Sequence, residues 1–325
     1  GATGDTATQI GQLFGLPASG EDRWAAFNAL DLELDDVGPP ILNLANREFP
    51  DLSFQTVDGY DETLARWFGV AVEPLPLQSD PDGSSERINE WVSESTEGLI
   101  PDLLPPGFVT PQTVMVLVNA LYLEADWQLQ FGKYPTEDAT FTLMDGSTVT
   151  VPMMNERELR GPAVATDTYA ATEIPYAGGE LSMLVIAPEE GAFDDVRARL
   201  ANGLLDEIDA TAREGSVEVF LPRFESATDV DLKSLIVGLG YDDIFGDGYD
   251  GIAPGIALDE AVHAADIAVD ENGTVAAAAT ALGFVESGPP EPDVVVRADQ
   301  PFLYVIRHEP TGAVLFLGQV MDPST

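Results

Sequence analysis

Hydrophobic residues recur at helical spacing through the first third of the chain and at strand spacing through much of the rest. Asp5 to Leu13 reads as a short helix. Asp22 to Leu34 reads as an acidic helix with Trp24, Phe27 and Leu30 on one face. Val57, Tyr60, Leu64, Trp67 and Phe68 predict another over 54–68. In "DPDGSSERINEWVSESTEGLIPDLLPP" the apolar face is Ile88, Trp91 and Val92, Ser84 is the expected N-cap, and Gly98 and Pro101 stop the element. The period then changes. "TVMVLVNALYLEADW" predicts a long buried strand, and "TFTLMDGSTVTVPMM" a hairpin turning at Asp145-Gly146. "LSMLVIAP" and "SVEVFLPRF" are further strands, separated by a helix over 193–208. "TDVDLKSLIVGLG" predicts a helix through Leu232, Leu235, Ile236 and Leu239 with Thr228 as its cap. "FLYVIRHEPTGAVLFLGQV" predicts two strands joined at Glu309–Gly312. Helices early and antiparallel strands late give an α+β fold rather than alternating βαβ units. With no repeat and no linker, a single domain over 1–325 is expected.

Composition sharpens this picture. The chain is 45% hydrophobic, enough for a substantial core. Its longest apolar stretch is interrupted by Asn119, short of the roughly 18 residues a membrane helix needs. Cysteine is absent, which excludes disulfides and thiolate chemistry. Asp and Glu total 57 against 14 Lys and Arg, a net charge of −43, and lysine occurs only at Lys133 and Lys233. A surface this acidic disfavours nucleic acid and anionic membranes as partners. The hydrophobic content argues against disorder. At about 1 M salt the Debye length falls to about 3 Å, so self-repulsion is screened; in dilute buffer it would push the fold apart. A halophilic, archaeal source is therefore expected.

Little in the chain points to an enzyme. Two histidines, His263 and His308, cannot make an HExxH-type zinc site. GxSxG, P-loop and GxGxxG motifs are absent. "GYDDIFGDGYDG" (240–251) lacks the Glu that closes an EF-hand loop, and Asp-rich loops arise readily in so acidic a chain. His308 reads as an ordinary strand-edge residue.

One stretch remains unexplained: "VDENGTVAAAATA", a run of small side chains near the C-terminus. It resembles the hinge of a serpin, a serine protease inhibitor. The resemblance extends through "INEWVSESTEGLIPDLL", "LVNALYLEADW" with Asn119 and Trp127 eight residues apart, "VPMM", "LPRF" and "PFLYVIRHEPTGAVLFLGQVMDP", in order. It implies three β-sheets, eight or nine helices and an exposed reactive centre loop over 271–301. It also implies inhibition by suicide: a target protease cleaves the loop and is acylated, and the N-terminal half of the loop then inserts into the large sheet. No cofactor or metal is implied, and a monomer is expected. The alternatives are a non-inhibitory serpin, acting as a carrier or chaperone, and an inactive truncated one.

The small residues suit such a strand. Thr274, Ala276, Ala278, Thr280, Leu282 and Phe284 form one alternate set, uncharged and grading from small to large, and Ala277 and Ala279 lie in the other. Gly273 permits the pivot. By the resemblance, Glu271, Gly273, Thr274, Ala276 to Ala279 and Thr280 are the hinge. The reactive bond is Ser287–Gly288, with Glu286 and Phe284 as alternatives. Asn119 and His263 match a polar "shutter" cluster, and Trp127, Arg223 and Glu271 a "breach", with Arg223–Glu271 a buried ion pair. None of the reactive-bond candidates is basic, which favours a subtilisin-, chymotrypsin- or elastase-like target over a trypsin-like one. Val275 stands where many members carry Glu, facing outward after insertion. The acidic helix at 22–36 excludes heparin. "GATGDTATQIGQLFG" resembles a segment well inside a typical serpin, so by the resemblance the first helices are expected to be absent ahead of it, leaving His263 short of their usual partners. An extracellular site of action is expected from the family's usual targets.

The charge makes the first prediction. The thermal unfolding midpoint should rise steadily between about 0.1 M and about 3 M potassium chloride as repulsion is screened. Equal midpoints at the two ends would count against salt adaptation.

Overall fold

The computed structural model describes residues 1–16, 21–35, 41–274 and 291–324. They fall into two compact units: 1–36 with 42–122 and 227–266, and 37–41 with 123–226 and 267–325.

The first unit holds helices α1 (Gly4–Leu13), α2 (Glu21–Asp35), α3 (Tyr60–Phe68), α4 (Pro81–Ser95) and α7 (Leu232–Gly238), most of strand β1 (Ile41–Pro50), and β2 (Ala71–Val72). It also holds the first part of β3 (Met115–Asp126). The strands run in the order β2-β1-β3, with β2 parallel to β1. α4 begins one turn before the expected cap. Asp80 is the N-cap and accepts from the Gly83 amide at 3.2 Å, Pro81 occupies the first turn, and Ser84 is buried inside the helix. Its Ile88, Trp91 and Val92 pack with Phe49, Val116 and Val118. Phe49 meets the Trp91 ring edge-on at 5.6 Å. α3 is shorter than the hydrophobic spacing suggests, because Gly59 at φ 86° breaks the helical path just before Tyr60. Asp231, not Thr228, caps α7 and accepts from the Ser234 amide at 3.0 Å; Thr228 lies within a strand.

The second unit is organised on an eight-stranded sheet. Its order is β12 (Val294–Arg297), β8 (Arg213–Pro222), β5 (Thr148–Ala165), β6 (Tyr169–Pro175), β7 (Leu181–Pro188), β13 (Phe302–His308), β14 (Ala313–Val320), with β4 (Glu137–Thr142) paired to β5. β4 and β5 form the expected hairpin, with Gly146 at φ 81° in the turn. β5 runs on for 18 residues through an irregularity between Glu156 and Leu159. Among the described residues hydrogen bonding links the strands into two sheets, where the resemblance implies three. β6 was not anticipated from the sequence. β7 is buried at every position, which is why it reads as an unbroken apolar run rather than an alternating one. The single helix expected over 193–208 is two, α5 (Phe193–Leu200) and α6 (Leu204–Thr211), divided at Gly203 with φ 85°. Both pack on the sheet through Phe193, Val196, Leu204 and Ile208. His308 is not at an exposed edge. It is 2% exposed, lies between β7 and β14, and its Nδ1 pairs with the Thr311 hydroxyl at 2.8 Å.

Also in this unit are β9 (Phe224–Asp231) and β10 (Val262–Val269) in part, the end of β3, and β11 (Gly273–Thr274). There the order is β3-β11-β10-β9.

The buried strand supplies a stability test. Ile186 is fully buried in the cluster beneath α5 and α6. Ile186→Ala should cost about 2–5 kcal/mol in urea unfolding, and Leu235→Ala, on an exposed face, within about 0.5 kcal/mol. Equal losses would contradict this assignment of the core.

Candidate functional site

One side chain builds the turn between β10 and β11. Asp270 Oδ1 accepts from the amides of Asn272 at 2.7 Å and Gly273 at 3.3 Å, and the Asp270 amide donates to the Gly273 carbonyl at 3.0 Å. The chain reverses within a few residues and lays Gly273 and Thr274 between two strands. Gly273 pairs with Asp126 of β3; Thr274 pairs with Ala125 of β3 and Val269 of β10. A Cβ on Gly273 would lie 1.9 Å from the Ala125 carbonyl oxygen and 2.7 Å from the Asp126 Cα. Both are backbone atoms, so no rotamer change relieves the clash.

Thr274 is 1% exposed, and its hydroxyl shares a 2.7 Å hydrogen bond with the Tyr176 hydroxyl. Burial pushes the Tyr176 phenol up, so it stays neutral. Its ring stacks on Trp127, with centroids 4.5 Å apart and planes 10° from parallel. Trp127 Nε1–H donates to the Asp270 carbonyl at 2.9 Å, and its amide donates to the Asn272 carbonyl at 2.6 Å. The Phe131 amide donates to the Glu271 carbonyl at 2.9 Å. Every backbone carbonyl from Asp270 to Gly273 thus has a donor.

Glu271 accepts from Arg223 through Nε at 2.9 and 2.8 Å and through Nη2 at 2.6 Å, and from the Thr136 hydroxyl. Burial opposes its charged form, but the bonds from Arg223 and Thr136 outweigh burial and hold the carboxyl below its ordinary range. The pair is not the buried one expected from the sequence. The Arg223 side chain is 51% exposed, so solvent screens it and its contribution is on the order of 1 kcal/mol.

The structure therefore brings Trp127, Arg223, Glu271, Gly273 and Thr274 together. It adds Tyr176, Thr136 and Asp270, which sequence reading missed. Only the Asp-x-Asn-Gly turn chemistry of "DENG" signalled Asp270; Tyr176 and Thr136 carry no local signature. Asn119 and His263 stand apart from this cluster. Asn119 is exposed and donates to Asn46 Oδ1 at 2.9 Å, and His263 is exposed near the start of β10. Among the described residues no hydrogen bond joins the two. Ala276 to Ala279, Thr280, Phe284, Glu286, Ser287 and Gly288 lie outside the described residues.

Nothing in the cluster pairs a nucleophile with a base. Its polar groups fix a backbone in place. Gly273→Ala should therefore expel Thr274 from between the strands, read as loss of hydrogen-exchange protection at its amide. Tyr176→Phe should keep the pairing and cost about 1 kcal/mol. Unchanged protection in the alanine variant would refute the close approach.

Comparison with known proteins agrees with this architecture. A family model described as "Serpin (serine protease inhibitor)" matches residues 1–323. A serpin-like protein of Thermococcus kodakarensis is 34% identical over 99% of this chain and 76% of its own length. The leukocyte elastase inhibitor of Equus caballus is 33% identical over 99% of this chain and 88% of its own. Among solved structures, thyroxine-binding globulin in complex with thyroxine superposes with a TM-score of 0.86 at 23% identity, covering 99% of this chain and 88% of its own. Serpin48 of Tenebrio molitor superposes with 0.84 at 25% identity, covering 99% and 86%. A match along nearly the whole chain, with relatives above 30% identity on this fold, leaves one conclusion: the chain belongs to the serpin family.

Proposed function

We propose that this serpin inhibits serine proteases as a suicide substrate and is not itself an enzyme. The observation that carries the reading is the seating of Gly273 and Thr274 between β3 and β10. Two residues near the start of the loop are already a strand. The register supports a continuation. Each residue beyond Thr274 would move one step back along both neighbours, placing Ala276 beside Leu123 and Ile267, which are 3% and 4% exposed. A methyl group suits positions so enclosed. The same count places Thr280 beside Asn119 and His263, a hydroxyl for two exposed polar side chains.

The chemistry proceeds on the protease. Its serine Oγ attacks the carbonyl carbon of Ser287, with Glu286 and Phe284 as alternatives. The peptide C–N bond breaks, the departing nitrogen takes a proton and becomes the new N-terminus, and an acyl-enzyme is left on the upstream half. Insertion of that half adds ladder hydrogen bonds and buries apolar area at about 25 cal/mol per Å². The ester is carried away before water resolves it. The target is a subtilisin-, chymotrypsin- or elastase-like protease, met by a monomeric inhibitor outside the cell in a saline medium. The elastase inhibitors among the relatives support that target class.

Mixing the protein with such proteases in high salt should give a complex that survives denaturant. Mass spectrometry should find a released C-terminal peptide beginning at Gly288. Thr274→Arg should abolish the complex while cleavage continues, because a charged side chain cannot enter a site that is 1% exposed. Cleavage of the wild type without a complex would favour a non-inhibitory serpin. Trapping by the arginine variant as efficient as by the wild type would sink the insertion step.

A further inference from the structure

Glu48 is the anomaly of the first unit. It lies on β1 beside Val72 of β2, is 1% exposed, and its Oε2 is buried without a hydrogen-bond partner. A buried carboxylate normally holds a cation or several donors. Among the described residues Glu48 has no basic partner. The adjacent Arg47 is committed elsewhere: its Nη1 is 2.5 Å from Glu73, which also takes Arg87 at 2.9 Å, and its guanidinium lies 4.7 Å over the Trp91 ring. The groups that couple to Glu48 come from the first turn of α3. They are Asp61, a like charge, and the Tyr60 phenol. Asp51, at the end of β1, is engaged by Ser53 and by the Gln78 amide.

Two outcomes are open to a carboxyl so placed: it ionises and repels the N-terminus of α3, or it keeps its proton. We infer that Glu48 is a built-in proton switch, neutral while its buried site on β1 is closed and forcing that site open when it ionises. The protonated form carries no charge beside Asp61 and gains an O–H that can donate locally. The ionised form leaves a bare carboxylate in a dehydrated site, with the exposed Asp61 adding repulsion from the first turn of α3.

Burial first, and Asp61 second, raise the Glu48 pKa from the ordinary 4.5 to about 7. The sign follows from linkage. Between those two values the native state holds a proton that the unfolded chain has released, so stability falls as pH rises through this window and is level above it. Each unit of the shift is a tenfold factor in the unfolding constant, so the whole window allows about a 300-fold change.

The test compares wild type with Glu48→Gln, a neutral side chain of the same shape, at constant ionic strength between about pH 5 and pH 8.5. Taking the ratio of the two unfolding constants cancels the titration of the other acidic groups. The wild type should lose at least tenfold more than the variant as pH rises, and hydrogen exchange over 59–68 should quicken in the wild type alone. Asp61→Asn should move the transition to lower pH. An infrared carbonyl band of a protonated carboxyl should titrate near neutrality in the wild type and be missing from Glu48→Gln, a readout that holds even if the variant is less stable. Parallel pH profiles, or no such band, would overturn the switch. Loss of the difference when sodium or potassium replaces a bulky organic cation would also overturn it, by making Glu48 a ligand for a metal cation.

Discussion

At Gly273 two backbones approach so closely that a methyl group would overlap a carbonyl oxygen. That contact governs the site around it. It requires glycine, and it requires the turn before it to be short and rigid, which Asp270 secures. The preceding carbonyls must also be satisfied from the side, by Trp127 and Phe131. The reward is a pair of residues hydrogen-bonded to strands on both flanks. A strand edge is ordinarily a hazard because it templates foreign chains. Here the edge of β3 is first taken by the chain's own next segment.

Positive charge is the scarce resource of this molecule, and its placement is correspondingly informative. Arg307 faces Glu173, Asp209 and Glu309; Glu73 takes both Arg47 and Arg87; Lys233 spans Asp259 and Glu260. Most of these pairs are partly exposed, so salt weakens each of them. The same salt relieves the far larger repulsion among the remaining carboxylates. A protein of this charge would thus be steadied by screening more than by its ion pairs. Glu48 runs against the surface pattern, being an acid placed inside without a counter-ion among the described residues.

Legibility in the sequence followed the range of the interactions involved. Strands read well where burial was one-sided or complete, as in β3, β7 and the β13–β14 pair. Helix ends read poorly where one residue decided them. Asp80 outcompeted Ser84 because Pro81 stands next to it, Asp231 outcompeted Thr228, and Gly59 and Gly203 each interrupted an otherwise helical spacing. His308 looked like an edge residue because its burial comes from β7, distant in the chain. The cluster was half legible: the resemblance marked Trp127, Arg223 and Glu271 as a breach and Gly273 as part of the hinge. The partners Tyr176 and Thr136 are set by tertiary contact alone, and so is the exposure of Arg223.

β3 also works as a ruler. It has 12 residues, and Gly273 pairs with Asp126, the last of them. A segment advancing from Gly273 along that strand therefore runs out of track at Phe284, opposite Met115. At about 3.3 Å per residue, the distance laid down is about 36 Å. On the proposed mechanism a cut after Ser287 would leave a three-residue leash beyond the end of the track, and would keep any cargo on its carbonyl close to that end. Lengthening the loop between Phe284 and Ser287 would slacken that leash without altering one ladder hydrogen bond. On the proposed mechanism the dimensions of β3, more than the identity of the cut residue, would set how firmly a captured protease is held.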